Sequence, residues 1–199
     1  NSIAIKVEDH NNKKLSQEIY SLIISDKQNY SSEIIIKAEL YMAKSALSNN
    51  NLTKINAFID KYSEPINLLN AYTELVNYYK INKDTLLEVS TYKKMLTLFS
   101  DKPSFLNSYA WRMTELNTNL TDALVQANMA LSLIIDKDKN YAQILDTKAE
   151  VLWKLGLFED AIKIIEEAID IHEDSQYYKD QKKKMEDAKK NLSKIQISK

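Results

Sequence analysis

The chain has 199 residues, with 27 basic and 28 acidic side chains giving a formal net charge of −1, one glycine, two prolines and no cysteine. Near-neutral charge removes the electrostatic case for nucleic acid or an anionic membrane, and the single arginine, Arg112, leaves little bidentate phosphate or base-edge contact. Without cysteine there are no disulfides, thiolate nucleophiles or thiol zinc sites, and so little Gly and Pro cannot supply the tight turns of a strand-rich fold. An all-α chain is expected.

Residues 1–12 are polar except for Ile3, Ile5 and Val7, which alternate as in a strand. With no partner strand in view, they read as a linker or the remnant of a preceding domain. The first residue is Asn1 rather than Met and no signal peptide is recognisable, so the chain is expected to be processed or cut from a larger protein. Bacterial cytoplasm and periplasm are both compatible with it. No run of about 18 apolar residues occurs, so no membrane span is expected.

From Lys13 the apolar period turns helical, with Leu15, Ile19, Leu22 and Ile23 on one face and an end near Asp26. Paired helices follow. Ser31 or Ser32 caps a helix running to about Leu47; Asn49-Asn50-Asn51 form a turn; and a shorter helix carrying Leu52, Ile55, Ile59 and Tyr62 stops before Pro65. The second pair carries Leu69, Tyr72, Val76 and Tyr79, turns at Asn82-Lys83, and continues with Leu86, Val89, Leu96 and Phe99. Pro103 opens a third pair, whose first helix ends near Leu116 and whose second runs from Leu120 to Ile135. A fourth pair spans about Tyr141 to Glu173 and turns at Gly156, and a lysine-rich helix from about Gln176 to Ile197 closes the chain.

Small residues repeat through these pairs. Ala123, Ala127, Ala130 and Leu133 recur 38 positions later as Ala161, Ile165, Ala168 and Ile171, while Leu106 and Ala110 recur 39 later as Leu145 and Ala149. The difference implies an extra residue in the third pair's turn, around Asn117 to Asn119. Close helix crossings need small side chains, so this period with two helices per unit indicates a stacked-hairpin α-solenoid.

The stretch from Leu145 to Ile171, LDTKAEVLWKLGLFEDAIKIIEEAIDI, resembles a tetratricopeptide repeat (TPR). Leu145, Ala149, Leu152, Ala161, Ile165 and Ala168 fall on signature positions, and Gly156 and Phe158 fit the inter-helix turn. Lys148 and Glu173 depart from the usual leucine and proline. The third unit is similar through Leu106, Tyr109, Ala110, Met113, Ala123 and Ala130. Carried upstream, the register gives Leu69, Tyr72, Thr73 and Val76, then Ile34, Ala38 and Tyr41, in divergent first helices only. The resemblance covers roughly Ser31 to Asp174 and implies a right-handed α-solenoid of about four hairpins; with an N-terminal helix before them the repeat domain takes residues 13–175, and residues 176–199 are expected as a C-terminal capping helix. The runs LNSYAW, LDTKAEVLWKLG and YYKDQKKKME also resemble the helical C-terminal tail of some bacterial multidomain proteins. A thioredoxin-fold domain precedes that tail in several of them; this chain holds no thioredoxin motif.

For a TPR the resemblance places the first helix of each pair along a concave groove. The groove positions are then Ser32, Ile35, Glu39 and Met42; Asn67, Asn70, Glu74 and Asn77; Ser104, Asn107, Trp111 and Thr114; and Gln143, Asp146, Glu150 and Trp153. Glu recurs at one equivalent position in three units, with Trp111 in the other. Amides suit an extended peptide backbone, and tryptophans supply contact area. The carboxylates favour a neutral or basic protein partner. The alternative reading packs the tryptophans against neighbouring helices and leaves the asparagines as a solvated surface. A clamp for C-terminal carboxylates is not expected, because the groove lacks Lys and Arg.

His10 and His172 are the only histidines, and no HExxH, Cys/His cluster, Ser/His/Asp set or glycine-rich phosphate loop occurs. No metal, cofactor or catalysis is expected. The function expected is a non-catalytic protein-interaction scaffold; the alternative is a helical tail that positions or dimerises a neighbouring domain. In the last helix Tyr178, Met185, Ala188, Leu192 and Ile195 form an apolar stripe suited to closing the stack. Its lysines, from Lys179 to Lys194, could instead meet acidic partners or headgroups.

Overall fold

A computed structural model describes residues 13–197, with side chains to residue 192. The strand-like Ile3, Ile5 and Val7, together with His10 and Ile195, lie outside the described side chains. Among the described residues there are ten α-helices and no strand. They fall into two compact units that divide after Met95.

The first unit holds α1 (Lys13–Ser25), α2 (Ser32–Leu47), α3 (Thr53–Lys61), α4 (Pro65–Ile81) and most of α5 (Thr85–Leu98). Here α1 packs on α2, α2 on α3 and α4, and α3 on α4. Tyr20 and Ile23 of α1 bury against Ala38; further along α2, Ala43 and Leu47 pack with Ile55, Phe58, Ala71 and Leu75. Between the α1 and α2 helices lies a 3-10 turn, Lys27–Asn29, absent from the sequence expectation. It is held by the Asp26 carboxylate, which accepts from the Asn29 amide at 2.8 and 2.9 Å. Of the two candidate caps for α2, Ser31 is the one in place: its Oγ accepts from the Ile34 N–H.

The second unit holds α6 (Pro103–Leu116), α7 (Leu120–Ser132), α8 (Lys139–Lys154), α9 (Phe158–Ile171) and α10 (Gln176–Ile197). Helix α6 packs on α7 and α8, α7 on α8, α8 on α9, and α9 on α10. Ala142, Leu145, Ala149 and Leu152 of α8, Ala161, Ile165 and Ala168 of α9, and Tyr178 and Met185 of α10 form one core. Helix α7 stops at Ser132, three residues short of the expected Ile135. Leu133 caps it, and the Asp138 carboxylate then accepts from the N–H groups of Asn140 and Tyr141 to start α8 early. Ile135, left in the connection, is 95% exposed.

All four hairpins turn in the same way. Asn50, Lys83, Asn117 and Gly156 each adopt a left-handed backbone, with φ of 56, 58, 49 and 80°. In each turn that residue's N–H donates to the carbonyl three back, and the next N–H donates to a carbonyl five back: Asn51 to Ala46, Asp84 to Tyr79, Thr118 to Met113 and Leu157 to Leu152. This is the Schellman closure, which satisfies carbonyls a helix end leaves open. Glycine takes the left-handed conformation at no steric cost and asparagine at little, whereas Lys83 carries a penalty of roughly 1 kcal/mol. The third turn has a second left-handed residue, Asn119 (φ 48°), which is the extra residue expected there.

Aligning the hairpins on these turns changes the register of the first two. Seven residues before the left-handed position lie Ala43, Val76, Ala110 and Ala149, all buried. The upstream register had put Ala38 and Thr73 at that position, and Thr73 is exposed. Helices α2 and α4 reach their turns later than a spacing carried back from the last hairpin allows.

Candidate interaction faces

Counted back from the turns, the residues equivalent to Glu150 are Trp111, Asn77 and Lys44. Glu39 and Glu74 leave that row, so a glutamate recurring through three units is not a feature of the folded chain. Instead, the three glutamates assigned to the groove pair with the chain's own lysines, and Asp146 accepts from a tyrosine hydroxyl.

In the first unit, the Glu39 carboxylate on α2 accepts from Lys27 Nζ at 2.6 Å, from Lys61 Nζ at 2.6 and 2.8 Å, and from the Tyr62 hydroxyl at 2.8 Å. Burial alone would raise its pKa. The hydrogen bonds from Lys27, Lys61 and Tyr62, with the Lys61 charge, outweigh this and hold it at about 2. Glu74 on α4 pairs with Lys44 on α2 at 2.7 Å. Asn70 and Asn77 are exposed. Met42 is half-buried and sits in the wall of an open cavity of about 820 Å³ between α1, the second half of α2 and the start of α3. Leu22 and Ala46 line it with Met42, while Lys14, Glu18, Asn49, Asn51 and Lys54 bring polar groups to it.

In the second unit, two stripes with the same spacing face each other. Asp146, Glu150 and Trp153 lie along one face of α8; Tyr177, Gln181 and Lys184 lie along one face of α10. The Tyr177 hydroxyl donates to Asp146 Oδ2 at 3.2 Å, Lys184 Nζ donates to Glu150 Oε2, and the same ammonium lies 4.5 Å from the centre of the Trp153 ring. Lys154 approaches that ring to 5.0 Å. Asp146 and Glu150 are therefore buried rather than open to a partner. Desolvation pushes the Asp146 carboxyl up to about 6; the Glu150 charge adds to this, against the Tyr177 hydrogen bond and Lys184. Asp146 Oδ1, Gln181 Oε1 and Trp153 Nε1 are buried and make no hydrogen bond among the described residues, as is Asn107 Oδ1 on α6.

Neither tryptophan is fully exposed. Trp111 is half-buried, and its carbonyl accepts from the Thr114 hydroxyl at 2.6 Å; Trp153 packs at the edge of the α8–α9–α10 core. Lys27, Lys44, Lys61 and Tyr177 are not singled out by the sequence, whereas Tyr62 is expected there as an apolar helix residue and Lys184 as one of the last helix's exposed lysines. Lys44 is found once the turns, rather than the small residues, set the register. The Tyr177-Gln181-Lys184 spacing was present in the sequence beside the apolar stripe.

Among the described residues, no group of three or more His, Cys, Asp and Glu is placed to hold a metal ion, and no helix is long and apolar enough to cross a membrane. Comparison with protein-family models, curated proteins and solved structures finds no match. The functional reading therefore rests on this chain's own residues.

Proposed function

We propose that the chain is a non-catalytic protein-interaction scaffold: a right-handed α-solenoid of four TPR-like hairpins, preceded by α1 and capped by α10, that takes a peptide or protein segment along the faces of its first helices. The observation that carries this reading is the recurrence of one turn, with one hydrogen-bond pattern and one buried residue seven positions earlier, in all four hairpins. A unit repeated in this way presents equivalent helix faces in succession, the arrangement that repeat proteins use for extended binding surfaces.

The partner is a neutral or basic segment. Glu39, Glu74 and Glu150 are already neutralised by lysines, so amide hydrogen bonding from Asn70 and Asn77 and apolar contact with Trp111 and Trp153 carry more affinity than net charge. Peptides selected from a displayed library against the whole chain supply the ligand. Their affinities for the Trp111→Ala/Trp153→Ala variant, checked for folding by circular dichroism, are expected to fall about tenfold or more. Unchanged affinity in a folded variant would remove the groove.

A further inference from the structure

We propose that the cavity of the first unit is a docking site for an acidic peptide segment bearing one large apolar side chain between carboxylates. This site uses neither tryptophan and does not rest on the groove reading above.

The cavity's volume, about 820 Å³, is in the range of sites that take a ligand or a few residues of peptide. Its apolar wall is Leu22, Met42 and Ala46, and Leu22 is 65% exposed although it sits on the helix that forms the wall. The cavity is framed from both sides. The Gln17 amide of α1 donates to the Ser45 hydroxyl of α2. On the α2–α3 turn, Asn50 accepts from the Tyr78 hydroxyl at 3.2 Å, and the Asn51 side-chain carbonyl accepts from the Thr53 N–H at 3.0 Å. The Asn51 carbonyl being used in this way, its NH2 group remains as a donor for a peptide carbonyl.

Charge decides the partner. In this unit Lys27 and Lys61 are committed to Glu39, and Lys44 to Glu74. Lys14 and Lys54, the second residues of α1 and α3, both line the cavity and make no ion pair among the described residues. Glu18 is the one carboxylate in the lining. Two uncommitted ammonium groups against one carboxylate beside an apolar wall favour carboxylates flanking an apolar anchor and repel a basic segment.

The test is fluorescence anisotropy with the whole chain and two labelled peptides, Glu-Glu-Asp-Leu-Asp-Glu and its charge-reversed form Lys-Lys-Lys-Leu-Lys-Lys. The acidic peptide is expected to bind saturably, to weaken with added salt, and to lose about tenfold or more in affinity in the Lys14→Glu/Lys54→Glu variant. Leu22→Asp, at an exposed position, gives a second loss that does not depend on the lysines. Any binding of the basic peptide is indifferent to the cavity substitutions, and Trp111→Ala/Trp153→Ala leaves the acidic peptide's affinity unchanged, which separates this site from the groove. An acidic-peptide affinity indifferent to both sets of cavity substitutions, or basic-peptide binding lost with those same substitutions, overturns the proposal. So does binding that appears only after residues 1–12 are removed, or self-association of the chain that the cavity substitutions abolish. Those results assign the cavity to the chain's own leader or to a second copy.

Discussion

At the residue scale, the two most perturbed carboxylates respond to pH in opposite directions. Glu39 is held at about 2 against an ordinary 4.5, so its stabilisation is fully present above about pH 4.5 and is lost as the pH falls towards 2. Glu39→Gln is expected to cost about 1–2 kcal/mol at pH 7, discounted because Lys27 and Lys61 are half exposed, and far less at pH 2.5. Urea midpoints of the two proteins at both pH values check this. Asp146 lies at about 6 against 3.8, so the fold favours its protonated form. Its stabilisation is present below about pH 4 and disappears as the pH rises through 6, leaving a buried charge with one weak hydrogen bond. Asp146→Asn is therefore expected to flatten the pH dependence between 4 and 6 and to be at least as stable as the parent at pH 7, by up to about 2 kcal/mol. A loss of stability at pH 7 would contradict the assignment. None of this was legible from sequence, where a carboxylate on a polar helix face reads as solvated. The cations that bury or pair it lie up to 34 residues away.

At the element scale, helix existence was readable and helix ends were not. Pro65 and Pro103 open α4 and α6 as their N-terminal residues, and the asparagine turns fall where expected. The end of α7 falls short of the expected Ile135 because Leu133, Ile134 and Ile135 continue the apolar run, while the Asp138 cap that starts α8 sets the boundary. Asp138→Ala is expected to cost about 0.5–2 kcal/mol, read from the thermal midpoint. The packing of α10 is carried by its first half: Tyr178 and Met185 are buried against α8 and α9, whereas Leu192 is 44% exposed. Met185→Ala is expected to cost about 2–4 kcal/mol and Leu192→Ala under about 0.5 kcal/mol, measured by denaturant titration. Comparable losses at both positions would mean that the helix docks along its whole length.

At the scale of the whole molecule, one hairpin turn recurs four times along the chain. The last two copies could be read from recurring alanines. The first two could not be placed correctly, because Ala38 and Thr73 offer small residues at nearly the right spacing while the helices run on to later turns. What the copies share is backbone geometry, and one of its four key positions is filled by a lysine that no turn rule selects. The pairing of Glu39, Glu74 and Glu150 with distant lysines belongs to this scale as well, since it depends on which helices become neighbours. The most direct measurement is the unfolding free energy of paired glycine and alanine variants at Asn50, Lys83, Asn117 and Gly156. A Cβ at Gly156 meets nothing within 4 Å, so alanine there tests backbone conformation alone. Glycine is expected to be the more stable of each pair by about 1 kcal/mol at all four positions, Lys83 included. Alanine equal to or better than glycine at Asn50 or Lys83 would contradict a repeated left-handed turn, and with it the four-hairpin chain.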